Sequence, residues 1–314
     1  MQERPYGPTG ETTTAIGLGG AFLTARSYDD GVATVRRALD LGVRYYDTSP
    51  MYCQGAAQAV MGEALAGVTQ PYLLATKLGY LSLPARYHSP DALRTQFDEN
   101  LRLLRRDHVD TLQLHEADLE HWWSSAESAT GRIRPEVGYD FNNAPALQVL
   151  RELRQEGRCR FIGISGNSAE HMGRILREVE IDTFLQAFNY DLIRRGARDT
   201  LPVAGAKGCV RLAGAIFQRG LARPDYELLE HPPEWLTPDL EEKYQRIYDL
   251  QEGSGMTLAE MGVRFIVAQP EIDTIIIGAK TPEEIEECVR AEEKGPLPED
   301  MSREIEAIAT GPPV

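Results

Sequence analysis

Leu73-Leu74-Ala75-Thr76-Lys77 and Thr111-Leu112-Gln113-Leu114-His115, with Ser89-Pro90 to Leu104 between them, read as a strand, a helix and a strand. Each five-residue run carries two leucines and ends on a basic side chain. Short apolar runs of this kind suit strands buried on both faces. The intervening stretch opens with Ser89 as a cap and Pro90 at the first helical position, where a missing N–H costs nothing. Leu93, Phe97, Leu101 and Leu104 then recur at helical spacing and form one apolar stripe. Strand, helix, strand in that order is the repeating unit of a parallel sheet.

The same alternation extends in both directions. Upstream lie a strand at Ala15-Ile16-Gly17-Leu18-Gly19, a helix from about Tyr28 with Val32, Val35 and Leu39 on one face, and Gly42 to stop it. The strand Val43-Arg44-Tyr45-Tyr46-Asp47 and a helix from Ala57 to Leu65 follow. Downstream come a helix from Ala146 to Gln155 and strands at Phe161–Ile164, Thr183–Gln186, Val210–Ala213 and Thr274–Ile277. A last helix runs from Pro282 to Glu293. Eight such units predict a closed (β/α)8 barrel, a TIM barrel, as a single domain over residues 1–314. An open dinucleotide-binding sheet fits less well. Gly17-Leu18-Gly19-Gly20 is followed by Ala21-Phe22, so the third glycine of that fingerprint is missing.

Composition sets outer bounds. The chain has 314 residues, 42% of them hydrophobic, which is enough for a sizeable core. No apolar run reaches the roughly 18 residues of a membrane span. Met1-Gln2-Glu3-Arg4-Pro5 lacks the basic-then-apolar pattern of a signal peptide, so a cytoplasmic location is expected. A net charge of −15 argues against a nucleic-acid partner. Cys53, Cys159, Cys209 and Cys288 form no CxxC pair or zinc-ligand pattern and read as reduced, mostly buried residues. Cys53, beside Tyr52, reads as a replacement for glycine.

In a barrel, functional groups come from the carboxyl ends of different strands. Asp47, Lys77 and His115 all fall there, and Tyr52 follows on the loop after Asp47. A free tyrosine loses its proton only near pH ~10. Beside an ammonium it becomes a usable proton donor or acceptor. Lys77 can be that ammonium, Asp47 can hold it, and His115 can orient a carbonyl. A lone tyrosine, lysine or buried histidine is ordinary core or surface. Four compatible types at four consistent places point to catalysis. Glu116 and Asp118 follow His115, but neighbours along a strand end point to opposite faces, a poor arrangement for a metal, and no metal site is expected.

The segment Leu119 to Asn143 interrupts the rhythm and carries Trp122, Trp123, Tyr139 and Phe141. A loop this long after the fourth strand reads as a lid or substrate wall, or else as a loop packed by its own aromatics. With Phe22, the tryptophans hint at an aromatic-walled pocket for a sugar ring.

The Asp47, Tyr52, Lys77 and His115 set resembles that of the aldo-keto reductases, and the resemblance covers nearly the whole chain. Tyr6 to Gly10 with Thr12-Thr13-Thr14 looks like the N-terminal hairpin of that family. Gly157 to Ser165 looks like its fifth-strand signature. The resemblance implies that Ser165, Asn167 and Gln186 hold a nicotinamide carboxamide. It implies that Gly278-Ala279-Lys280-Thr281-Pro282 meets the adenosine phosphate, with Glu287 on the adenine. A helix N-terminus with a lysine suits an extra phosphate, which favours NADP over NAD, with NAD still possible.

The implied activity is NAD(P)(H)-dependent interconversion of a carbonyl and an alcohol, on an aldehyde, ketone or sugar. Departures from the pattern are Cys53, Ala57-Gln58, Cys288, and a small residue near Gly214 or Ala215 where an aromatic ring often stacks, with Phe217 as its replacement. Two other classes stay open: a cofactor-sensing regulatory subunit with little turnover, and an isomerase or lyase that keeps its nucleotide bound. The sequence carries no obvious partner-binding extension, which tilts the expectation toward an enzyme.

Overall fold

The computed structural model describes residues 1, 3–125, 129, 131–218 and 220–310. Strands β1 (Glu3–Pro5) and β2 (Thr12–Thr14) form an antiparallel hairpin. Eight parallel strands then close into a barrel: β3 (Ile16–Gly19), β4 (Tyr45–Asp47), β5 (Leu73–Leu78), β6 (Val109–Leu114), β7 (Cys159–Gly166), β8 (Thr183–Ala187), β9 (Val210–Gly214) and β10 (Thr274–Ile277). They are ordered consecutively, and β10 closes onto β3 with Ile276 opposite Gly17. This is the (β/α)8 architecture expected from the alternation of strands and helices.

Helices α1 (Tyr28–Asp40), α2 (Ala56–Ala64), α3 (Pro90–Leu104), α4 (Pro145–Gln155), α5 (Ala169–Glu178) and α6 (Thr200–Ala206) follow strands β3 to β8 in turn. The local signals work as chemistry predicts. Ser89 accepts the Ala92 N–H at the start of α3, and Gly42 takes φ +83° just past α1. After β9 come α7 (Tyr226–Glu230), α8 (Pro238–Ser254) and α9 (Leu258–Val267). Then α10 (Pro282–Glu293) follows β10, and α11 (Glu299–Thr310) ends the described chain. The α7–α8 insertion and α11 lie outside the simple repeat read from the sequence. Among the described residues, no helix is long and apolar enough to cross a membrane.

The hairpin plugs the amino-terminal end of the barrel. Tyr6 is fully buried, and its hydroxyl lies 3.0 Å from Thr111 Oγ1 while its ring packs on Tyr45. Tyr6, Tyr45, Leu73, Ala75, Leu185, Leu212 and Ile276 fill the barrel interior with apolar atoms. Toward the carboxyl end the buried side chains turn polar, with Asp47, Lys77, Gln113, His115 and Ser165. An apolar plug below and polar groups above give the carboxyl face its chemistry.

Candidate active site

β4, β5 and β6 deliver the first three side chains. Asp47 ends β4, Lys77 lies one residue from the end of β5, and His115 follows β6 directly. The Lys77 ammonium donates a short hydrogen bond to Asp47 Oδ1 and another, of 3.0 Å, to the Thr48 carbonyl. Lys77 and Asp47 are 1% and 2% exposed, so both charges are removed from water and each needs the other. Asn100 on α3 donates to the Lys77 carbonyl at 2.9 Å and pins the strand end.

Tyr52 sits on the turn after β4, held by its own N–H to the Ser49 carbonyl at 3.1 Å. Lys77 Nζ lies over its ring, 4.9 Å from the centroid. The His115 ring meets Tyr52 edge-on at 5.3 Å. The structure therefore brings all four expected residues together. The electrostatics differ from the expectation in one respect. Burial pushes the Tyr52 phenol well above its ordinary range, and Asp47, Tyr80 and Glu116 push it the same way. Lys77 faces the ring and directs hydrogen bonds to Asp47 and Thr48, so it does not outweigh these.

His115 is buried, and desolvation with the nearby Lys77 charge holds its pKa well below 6.5. Its Nδ1 lies 2.8 Å from Ser49 Oγ. Ser49 Oγ already accepts the Met51 N–H at 3.3 Å, so its hydroxyl proton is available for Nδ1. When Ser49 donates that proton to Nδ1, the neutral imidazole carries its own proton on Nε2 and keeps that N–H as a donor. Ser49 is a positioning residue that sequence reading missed, because a loop serine carries no signal of a partner 66 residues away.

The depressed pKa has a stability consequence. The unfolded chain takes up the His115 proton below about pH 6.5. The folded chain resists it, so stability falls as pH drops through that point, by about 1.4 kcal/mol per unit for this group. His121, pushed down to about 4 mainly by burial, adds a smaller effect because it is more exposed. Thermal melts should show lower stability at pH 5 than at pH 7, and His115→Asn should remove about 2 kcal/mol of that difference. An unchanged difference would mean that His115 titrates normally.

Six of the seven non-glycine residues with positive φ among the described residues collect on this face, Arg105 at the end of α3 being the other: Cys53 (52°), Gln54 (56°), Tyr80 (56°), Glu116 (51°), Phe188 (61°) and Ala215 (54°). All lie in the segments that follow barrel strands, where such strain accompanies function. Cys53 accordingly occupies a left-handed position natural to glycine, with its thiol directed at the Ala21 carbonyl, 3.5 Å away.

The residues expected around a nicotinamide carboxamide lie on adjoining strand ends. Ser165 Oγ donates to the Leu114 carbonyl at 3.1 Å, and Asn167 Nδ2 donates to Glu116 Oε1 at 2.6 Å. Gln186 Nε2 donates to the Gly166 carbonyl at 3.2 Å, and its buried Oε1 has no partner. The Ser165 hydroxyl proton is committed, while Asn167 and Gln186 each keep a second N–H as well as an amide oxygen, so the set offers both donors and acceptors, the complement of a carboxamide. This chain therefore fits such a group.

At the other end, Gly278 precedes α10, whose cap Thr281 accepts the Glu284 N–H at 3.4 Å. Lys280 is exposed, 5.7 Å from the Phe22 ring, and its own N–H is taken by Glu284 Oε2 at 2.8 Å. Glu287 accepts from Thr257 at 2.7 Å.

One expectation changes. The tryptophans do not line a sugar pocket: both are buried, Trp122 donating to the His115 carbonyl (3.0 Å) and Trp123 to the Ala117 carbonyl (2.6 Å). Trp123 packs edge-on against Phe141, so the loop is packed by its own aromatics and braces the strand end that carries His115. Residues 126–128 and 130 of that loop lie outside the described residues. Phe22 is half exposed and lies against Gly278 at the β3–β10 seam. Phe217 packs toward Gly262 of α9. Asp118 does not serve with Glu116: it pairs with Arg132 and accepts the Ser168 N–H at 3.0 Å.

The sequence model of the Aldo/keto reductase family matches residues 15–310. The chain is 29% identical to the L-galactose dehydrogenase of Arabidopsis thaliana, over 98% of this chain and 94% of that one. It is 24% identical to the pyridoxal 4-dehydrogenase of Microbacterium luteolum, over 92% of each. Among solved structures, the holo form of an aldo-keto reductase from Bacillus halodurans superposes with a TM-score of 0.76 at 21% identity, covering 100% of this chain and 98% of the other.

Proposed function

The chain belongs to the aldo/keto reductase family, and on that premise we propose that it interconverts a carbonyl and an alcohol with NADP(H) or NAD(H), Tyr52 acting as the general acid and base. The observation that carries this reading is the Tyr52 ring held between the Asp47-bound Lys77 ammonium and the edge of His115. The nicotinamide, when bound, supplies or takes up the hydride. This chain's residues do the rest. A phenol pushed upward stays protonated at neutral pH and is ready to protonate the oxygen of a carbonyl being reduced. Lys77 stabilises the phenolate as it forms. The neutral His115 offers its Nε2–H to the same oxygen. In oxidation Tyr52 takes the proton back.

Ser165, Asn167 and Gln186 would hold the carboxamide, and Gly278, Lys280, Thr281 and Glu287 the adenosine end. Lys280 supports a preference for the phosphorylated nucleotide. Glu284 opposes it, because its carboxylate occupies the Lys280 N–H that a phosphate would use.

The test is a fluorescence titration of the purified protein with NADPH and NADH, followed by turnover on aldehydes, ketones and sugars. L-galactose and pyridoxal are sensible members of the set, given what the relatives' names say they act on. Glu284→Gln should tighten NADPH about fivefold, the scale of one unit charge near a phosphate in water, and leave NADH little changed. Failure to bind either nucleotide would refute the proposed activity. Unaltered NADPH affinity in Glu284→Gln would refute only the phosphate assignment.

A further inference from the structure

Beside the Tyr52 cluster stands a second pair that the proposed chemistry does not use. Tyr80 lies two residues past β5, and Glu116 lies next to His115 past β6. Tyr80 is 43% exposed, and its ring meets His115 at 5.0 Å, on the same imidazole that Tyr52 touches. Burial, with the Glu116 carboxylate beside it, raises the pKa of its phenol. Glu116 also takes the Asn167 side-chain N–H at 2.6 Å. Both backbones sit in the left-handed region, with φ of 56° and 51°, a conformation kept when the surroundings demand it.

The charge balance at this mouth is one-sided. Among the described residues, the carboxylates whose charge reaches the Tyr52 hydroxyl are Asp47 and Glu116. Lys77 is committed to Asp47 and to the Thr48 carbonyl. A carboxylate has about four lone-pair positions, and Asn167 uses one of those on Glu116. The remainder can accept from a hydroxyl. A substrate anion near the carbonyl would meet like charge instead.

We propose that Glu116, held by Asn167 beside Tyr80, makes the site select uncharged, hydroxyl-bearing carbonyl compounds and their alcohols, and reject carboxylates and phosphate esters. The proposal rests on the carbonyl–alcohol reading of the Tyr52 site. It adds a specificity-determining residue outside the four-residue set.

The experiment compares two aldehydes with matched rings, 4-hydroxymethylbenzaldehyde and 4-carboxybenzaldehyde, using whichever nucleotide the protein binds more tightly. For the wild-type protein, kcat/KM should favour the neutral aldehyde by about tenfold or more, which corresponds to about 1.4 kcal/mol. Glu116→Gln keeps the shape and an acceptor but loses the charge, and should shrink that ratio by about tenfold. Glu116→Asp keeps the charge and should retain the discrimination.

A wild-type ratio near one overturns the proposal whatever the variants do. So does an undiminished ratio in Glu116→Gln, or an equal collapse in Glu116→Asp, which would trace the effect to shape. Nucleotide binding with no turnover of any aldehyde or alcohol would overturn the carbonyl–alcohol reading itself, and this inference with it. That result is distinct from turnover without discrimination.

Discussion

Tyr52→Phe should lower kcat by a factor of about 10² to 10⁴, the usual contribution of a positioned acid–base group. The substitution removes one oxygen and keeps the ring. Lys77 can therefore stay over the ring face and His115 against its edge, so the variant should fold as before. Nucleotide affinity should also be kept, because the expected carboxamide contacts come from β7, the loop after it and β8. Stopped-flow turnover together with a nucleotide titration separates the two effects. The pH profile adds an independent check. The wild-type rate of reduction should fall only at high pH, since burial and the neighbouring carboxylates push the phenol up and keep it protonated through neutrality. In Tyr52→Phe that high-pH limb should vanish from the residual rate. A kcat within about threefold of wild type would remove Tyr52 from the chemistry and turn attention to Tyr80, the other phenol touching His115.

How much of this was legible in the sequence depended on whether the signal was local. The β5–α3–β6 unit could be read because its strands are short leucine-containing runs that lead into a basic residue and its helix carries cap, proline and stripe in register. Asp47, Lys77 and His115 could be read because they fall where strands end, and strand ends are visible as changes from apolar to polar. The insertion of α7 and α8 broke the repeat, although α8 carries local signals of its own: Thr237 as cap, Pro238, Tyr244, Ile247 and Tyr248 at helical spacing, and Gly255 at its end. Trp122 and Trp123 misled because a loop tryptophan has the same local sequence whether its ring faces solvent or, as here, donates its N–H to a buried carbonyl. Ser49 and Glu116 were hidden for a different reason. Their meaning lies in partners 66 and 51 residues away, and for Glu116 also in a left-handed backbone that no pattern announces.

Lys77→Met should destabilise the protein by about 3–5 kcal/mol at neutral pH, the cost of leaving one member of a buried ion pair without the other. Asp47 is the group left behind. It is 2% exposed, its Oδ2 already lacks a partner, and the strand geometry offers no replacement for the ammonium on Oδ1. Burial already pushes the Asp47 pKa up, and Lys77 is what opposes the push. Without Lys77 the carboxyl holds its proton to higher pH in the folded than in the unfolded chain. A raised pKa of this kind costs nothing below the unfolded value of about 3.9 and progressively more above it. The deficit of Lys77→Met, measured by urea unfolding, should therefore be smaller at pH 5 than at pH 8. Adding Asp47→Asn removes the stranded charge and should return at least about 2 kcal/mol, a coupling that independent sites would not show. Activity should not return with it, because the restored fold still lacks the ammonium that stabilises the Tyr52 phenolate. If the double variant were as unstable as the sum of the single ones, the pair would not be coupled. If it regained activity, Lys77 would be structural only.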